Sequence, residues 1–396
     1  MKHDVVIVGA GPAGLCLARA LADQALDVAL VERLPAQALA EPGYDGREIA
    51  LTHASVRILK TLGVWEHLPD DTVFPLQGAQ VMDRNTAPVL RIDSALVAQE
   101  QLGCLVANQQ IRRAAWQAVS QAPGIAVYSE AQIERVSTGP DEAGVELANG
   151  ERLQCRLLVA ADSRFSETRR ALGIQADMHD FGRTMLVCRM RHALPHGRIA
   201  WEWFGHGQTR AMLPLQEHHA SIVLTVTGEE AQRLAGLPAE RFGQEMQDRF
   251  EQRLGEMSLD GSRHLYPLVG VYARRFVGCR LALVGDAAVG MHPVTAHGFN
   301  FGLASVERLA AAIGTAQRQG KDLADPALLA RYQRQHRRGT LPLYLATRAI
   351  AGLYTDDRPP AHWLRTLALR AASRVTPFRR ALAEKLLDDG QPQRAS

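Results

Sequence analysis

The amino-acid sequence predicts an α/β chain: a largely parallel sheet with helices, an inserted antiparallel β-sheet and a C-terminal helical segment. Three observations predict it. The chain opens on a short apolar run, a glycine-rich turn and an apolar-periodic stretch. A second apolar run near residue 281 ends in Gly-Asp and leads into a long helical pattern, and the residues between alternate apolar with polar and carry hairpin turns. At 396 residues the chain exceeds what one core fills efficiently, so two domains are expected.

Residues 5–8 read as a buried strand, Gly9-x-Gly11-x-x-Gly14 as the turn, the stretch to about Ala25 as a helix, and "DVALVE" as the next strand, ending at Glu32. This is a Rossmann-like βαβ unit. Its glycines let the backbone approach a diphosphate, whose charge rests on the helix N-terminus opened by Pro12 and Ala13. Glu32, with Arg33 beside it, follows the glycines by roughly twenty residues and is placed to accept from a ribose hydroxyl. The motif predicts a dinucleotide site and leaves NAD and FAD open.

Residues 281–284 read as another buried strand, ending in Gly285-Asp286, and a long helix is expected from near Gly298. Asp286 is placed to take a hydroxyl of a second ribose or a ribityl chain, which a flavin dinucleotide possesses. The helix N-terminus offers partial positive charge to a ring that becomes anionic on reduction. Pro293 would stiffen the intervening loop, Gly298 would admit a close backbone approach, and Asn300 would bond the ring's polar edge or cap the helix. The plainer reading is a glycine-rich connection with two surface histidines, His292 and His297. A third strand, residues 157–160, leads to Asp162, Ser166 and Arg169 on a loop entering a helix.

Residues 74–97 and 178–269 alternate in short runs with turns at Gly-His-Gly-Gln and Glu-His-His, the pattern of hairpins. Trp201, Trp203, Met212 and Leu213 are candidates to line a pocket for an aromatic head and an apolar tail, the alternative being strand core. Residues 361–387 alternate apolar side chains with arginines, a basic amphipathic pattern that fits either an anionic membrane surface or packing on its own domain.

Composition narrows the classes. The apolar and charged fractions, 46% and 22%, are those of a globular protein. A net charge of +3 without a basic and aromatic stripe gives no ground for nucleic-acid binding. The five cysteines are scattered and form no Cys-x-x-Cys pair, which fits buried side chains in a reducing cytoplasm; no metal site is expected.

With these motifs in this order, the chain resembles the class A flavoprotein monooxygenases, and among them the FAD-dependent hydroxylases of ubiquinone biosynthesis. The resemblance spans nearly the whole chain. It implies a discontinuous FAD-binding domain (1–73, 98–177 and 270–345), a substrate domain (74–97 and 178–269) and a helical segment (346–396). It places Gly9, Gly11 and Gly14 at the diphosphate, Glu32 at the ribose, and Arg47 and Asn108 as further cofactor contacts. Asp162, Ser166 and Arg169 match a pattern associated with FAD and the nicotinamide donor, with Ser163 where the family has glycine. Val289 replaces a family histidine, and Ala296-His297 precede Gly298 in place of Gly-Gln.

The implied reaction is hydroxylation of an aromatic ring by O2 through a C4a-hydroperoxyflavin, with NAD(P)H as electron donor and His292 or His297 helping to remove a phenolic proton. The implied substrate is a lipophilic aromatic, a prenylated phenol or a demethoxyquinol. A hydroxylase of a small soluble aromatic acid, a non-hydroxylating flavin scaffold and a prenyl double-bond reductase remain open. A quinone-biosynthesis complex and peripheral contact with the inner face of the membrane are the partners the resemblance suggests, in a cytoplasmic protein.

Overall fold

A computed structural model describes residues 1–83, 90–94, 100–205, 207–292 and 297–355. Its central sheet runs in the order Val277–Gly278, Leu281–Leu283, Arg152–Ala160, Lys2–Val8, Val28–Val31, Ile125–Tyr128, with Ile133–Thr138 and Ala143–Leu147 attached to one side. Lys2–Val8 is parallel to both Arg152–Ala160 and Val28–Val31, and Leu281–Leu283 extends the parallel set. Continuous Val and Ile runs suit strands covered on both faces, and Val5, Val6 and Ile7 are fully buried. The parallel strands point their C-terminal ends the same way, so the loops after Val8, Ala160 and Leu283 share one edge, where ligands of open α/β sheets bind.

The second sheet runs Val289–Gly290, Met257–Ala273, Ala176–His192, His219–Val226, Gln208–Pro214, Ile199–Gly205, Gly78–Asp83, Leu90–Asp93. It is antiparallel except where Ile199–Gly205 meets Gly78–Asp83. Its two long strands, Ala176–His192 and Met257–Ala273, run unbroken through residues 177/178 and 269/270, and Val289–Gly290 joins the sheet from the loop after Leu283. Strand Val73–Leu76 instead pairs with Gly103–Ala107, which also pairs with Glu48–Leu51, in a separate three-stranded sheet.

The helices begin where local chemistry allows. Pro12 opens Pro12–Ala22, where its missing N–H costs nothing. Thr52, Ser166 and Thr227 cap His53–Thr61, Glu167–Ala171 and Gly228–Gly236 through their side-chain oxygens. Gly298–Arg318 begins where the sequence placed it, and Pro326–Thr355 continues past the expected boundary at 345 with Pro342 inside it. The segment 361–387 lies outside the described residues.

One core surrounds the central sheet, and a second lies between the antiparallel sheet and helices Gly228–Gly236 and Ala239–Arg249. Trp203 and Met212 sit in that second core with no exposed surface, and Trp201 packs against it. This corrects the pocket-lining expectation for these three residues: strand alternation turns them to the helix-covered face. Four of the five cysteines are buried; Cys279 is exposed. Among the described residues, no helix is long and apolar enough to cross a membrane.

Candidate functional site

The glycine turn after Lys2–Val8 divides by what each residue must avoid. Gly9 has φ +104°, and a Cβ there would lie 2.6 Å from the Ala161 carbonyl oxygen. A Cβ on Gly14 would lie 1.9 Å from the Gly9 carbonyl oxygen. The protein itself demands these two. Among the described residues, a Cβ on Gly11 would meet nothing within 4 Å, so that position faces open space. No side chain caps the helix that starts there, leaving first-turn N–H groups and the positive end of the dipole toward that space. Glu32 is pinned beside it: Ala10 N–H donates to Oε2 at 2.8 Å and Leu34 N–H to Oε1 at 3.1 Å, with lone pairs left over. Arg33 is exposed.

The loop after Leu281–Leu283 meets this turn. Gly285 has φ +60°, and a Cβ on it would approach Ala13 Cβ at 3.0 Å. On Gly302, in the first turns of Gly298–Arg318, a Cβ would lie 3.6 Å from Gly285 Cα and 3.8 Å from Ala13 Cβ. Two glycine-rich loops and two helix N-termini thus converge on Ala13. Helix Gly298–Arg318 has His297 at its N-cap with no side-chain cap bond, and among the described residues no neighbouring segment comes within 4 Å of where a Gly298 Cβ would be. Asp286 is held through Oδ2 by Arg164 Nη2 at 3.1 Å. Pro293 lies outside the described residues.

Asn300 has partners that its own helix does not signal. Its Oδ1 accepts from Thr52 N–H at 3.1 Å and from Ser55 Oγ at 2.6 Å, and its Nδ2 donates to the Ala50 carbonyl at 2.8 Å. It therefore braces the start of His53–Thr61. Val289 departs from the family pattern. It is 1% exposed, in a short strand paired with Tyr272, so apolar packing occupies the position where the family has a histidine.

Asp162, Ser166 and Arg169 form one unit. Asp162 accepts from Ser166 Oγ and, at 3.0 Å, from Thr168 N–H; Ser166 Oγ accepts from Arg169 N–H at 2.9 Å. The buried Arg169 donates from Nη1 to the carbonyls of Ala287 at 2.9 Å and Arg164 at 3.2 Å. Ser163 holds φ +78°, a left-handed conformation that glycine adopts without strain. The turn the family makes with glycine is kept here with serine.

Sequence reasoning missed the acid that organises Arg47 and Asn108. Asp45 accepts from Arg47 Nη2 at 2.6 Å and Nε at 3.1 Å and from Asn108 Nδ2 at 2.7 Å. Burial works against the Asp45 carboxylate, but these donors prevail and hold its pKa below the ordinary value. Tyr266 Oη donates to the Asp45 carbonyl at 2.6 Å, and its ring lies under the Arg47 guanidinium, tying the segment to the antiparallel sheet. A second link follows: Arg189 donates Nη2 and Nε to Glu48 Oε1 at 2.7 and 2.9 Å, and stacks on Tyr44. Glu48 Oε2 is buried without a partner, and burial, opposed by Arg189, leaves the Glu48 pKa raised. These contacts join residues far apart in sequence, and only a second sheet passing over the Tyr44–Glu48 segment brings them together.

His292 and His297 are both buried. His292 stands edge-on to Phe181, with ring centroids 4.7 Å apart, and burial pushes its pKa down to about 4. At neutral pH it is an uncharged, weak base. His297 sits at the helix N-cap with its ring near Phe301.

Residues 2–340 match the FAD binding domain family. The chain is 44% identical over 98% of its length to the ubiquinone hydroxylase UbiM of Neisseria meningitidis, covering 85% of that protein. It is 35% identical over 95% of its length to the ubiquinone hydroxylase UbiL of Rhodospirillum rubrum, covering 87% of it. Among solved structures, p-nitrophenol 4-monooxygenase PnpA from Pseudomonas putida superposes with a TM-score of 0.78 at 17% identity, over 98% of both chains, a likeness of fold. The chain belongs to the FAD binding domain family and, within it, to the flavoprotein monooxygenases of the ubiquinone-hydroxylase group.

Proposed function

We propose that the chain hydroxylates the ring of a lipophilic aromatic substrate, a prenylated phenol or demethoxyquinol precursor of ubiquinone, using FAD, O2 and NAD(P)H. The observation that carries this reading is the convergence of two uncapped helix N-termini on Ala13, Gly285 and Gly302, in a chain similar along its length to a ubiquinone hydroxylase.

The residues present fit FAD. The open space at Gly11 and the first-turn N–H groups suit an anionic diphosphate, Glu32 a ribose, and the oxygen of Asp286 not held by Arg164 a sugar-chain hydroxyl. Arg47 and Asn108, aligned by Asp45, reach the same cofactor. Bound FAD, once reduced, supplies the electrons that activate O2. The protein orients the ring against Gly298–Arg318, excludes water with buried Phe301, Met291 and Val289, and provides His297 to take a phenolic proton.

Arg189, on the sheet face that meets Tyr44–Glu48, is committed to Glu48, which favours a neutral phenol over the carboxylate of a soluble aromatic acid. The FAD-binding part is proposed as 1–73, 98–177 and 270–345 and the substrate part as 74–97 with 178–269, with strand Val73–Leu76 and the ends of Ala176–His192 and Met257–Ala273 crossing these bounds. The proposal also includes a cytoplasmic location, association with a quinone-biosynthesis complex and peripheral membrane contact through 361–387. Flotation with anionic liposomes that is lost at high salt would support the membrane contact, and no flotation would remove it. Oxygen-isotope incorporation into the product tests the reaction.

A further inference from the structure

The inserted sheet presents one face to its own helices and the other to the segment that carries Arg47. Met185, Val187 and Arg189 lie on this second face, opposite the helix-covered Leu186, Cys188 and Met190. Strand register extends it: Val187 pairs with Val223, Val223 with Ala211, and Ala211 with Glu202. Directly paired residues share a face. Glu202 therefore lies on the site-facing side, three strand spacings or about 14 Å from Val187.

Its neighbours there are small or apolar: Ala211 and Val81 across the strands, Ala200 and Phe204 along its own. Among the described residues the Glu202 carboxyl makes no hydrogen bond or ion pair, while the residue keeps partial exposure. Burial pushes its pKa up to about 8, so at neutral pH it is mostly an uncharged carboxyl able to donate and accept. A second orphan shares the face: Ser221, paired with Arg189 and Leu213, has its Oγ fully buried without a partner. A carboxyl set among Ala200, Phe204, Ala211 and Val81, with no partner among the described residues, is costly to keep, which points to a ligand that completes it.

We propose that Glu202 is a substrate-binding residue whose carboxyl hydrogen-bonds a ring hydroxyl of the aromatic substrate. The assignment rests on the hydroxylase reading for its ligand class. It makes Glu202 the group that distinguishes a phenol or quinol from a ring without the hydroxyl.

The test is binding to FAD-loaded protein, read from the perturbed flavin absorbance, with a short-tailed prenylphenol and the matching prenylbenzene. Wild type should bind the phenol about tenfold more tightly, the worth of one hydrogen bond to a buried polar group. Glu202→Leu should bring the two dissociation constants together. Glu202→Gln, which keeps the hydrogen-bonding capacity, should hold the preference within about threefold of wild type. Glu202→Leu should retain FAD and melt no lower than wild type, because it removes a desolvated carboxyl without a protein partner among the described residues. A wild-type preference that survives in Glu202→Leu, or no preference in wild type, overturns the assignment. Oxygen incorporation by wild type scores the hydroxylase reading separately: incorporation with an unchanged preference in Glu202→Leu refutes Glu202 alone, and a lost preference without incorporation refutes the reaction but upholds the contact.

Discussion

The Arg169 guanidinium donates to the Ala287 carbonyl oxygen at 2.9 Å, fastening the turn that carries Asp286 to the loop after strand Arg152–Ala160. The same Nη1 also reaches the Arg164 carbonyl, so one buried arginine holds both loops that flank the proposed flavin site. Arg169→Met keeps the aliphatic volume and removes the donors, leaving two carbonyls short of partners. It should destabilise the protein by about 3 kcal/mol and loosen FAD. Thermal melting and FAD retained after dialysis check this; unchanged values for both would show that the link is dispensable.

Gly11 and Gly14 should behave oppositely although they share a motif. Gly11→Ala points a methyl into open space, so the apoprotein should keep its stability within about 0.5 kcal/mol. The methyl should still obstruct the diphosphate and weaken FAD binding by about tenfold or more. Gly14→Ala drives a Cβ into the Gly9 carbonyl and should cost the fold about 3 kcal/mol or more. Apoprotein melting and FAD titration separate the two outcomes.

The buried His292 gives the fold an acid-side liability. Its folded pKa lies near 4 and its unfolded value near 6.5, so between these pH values the unfolded chain binds a proton that the folded one refuses. Above 6.5 the residue contributes no pH dependence. Stability should then fall as pH drops from 6.5 to 4, by roughly 3 kcal/mol from this residue. His292→Phe, which keeps an aromatic ring against Phe181, should abolish this part of the loss. Matched denaturation curves at pH 7 and pH 4.5 read the difference, and parallel curves would contradict the burial argument.

His297→Ala should lower hydroxylation by about a hundredfold, a usual worth for a positioned proton acceptor, without releasing FAD. The variant's flavin spectrum and stopped-flow turnover report the two quantities independently. Full turnover would remove His297 from the mechanism.

Local patterns carried the parts of this site that depend on a few consecutive residues. Gly14 is forced by crowding within its own turn and Gly9 by the positive φ that turn requires, and Glu32 and Gly285-Asp286 follow from strands that end on one sheet edge. Alternation located the strands around Trp201 and Met212 but could not say which of two apolar faces the helices would cover. That choice placed Trp203 in a core and left Glu202 facing the site. Asn300 was read from its own helix, whereas its partners Thr52 and Ser55 open another. Asp45, Arg164 and Arg189 act through contacts with distant segments, and no spacing in the chain signals them.

Insertion of one oxygen atom of O2 into an aromatic ring is the activity on which the proposed function stands or falls. Mass spectrometry of the product formed under 18O2 reads it, with FAD-loaded protein, NADPH or NADH, and a short-tailed prenylphenol or demethoxyquinol. One 18O atom per hydroxylated product is the predicted result. Reduction and reoxidation of the flavin with peroxide release and no labelled product from any of these rings would contradict it.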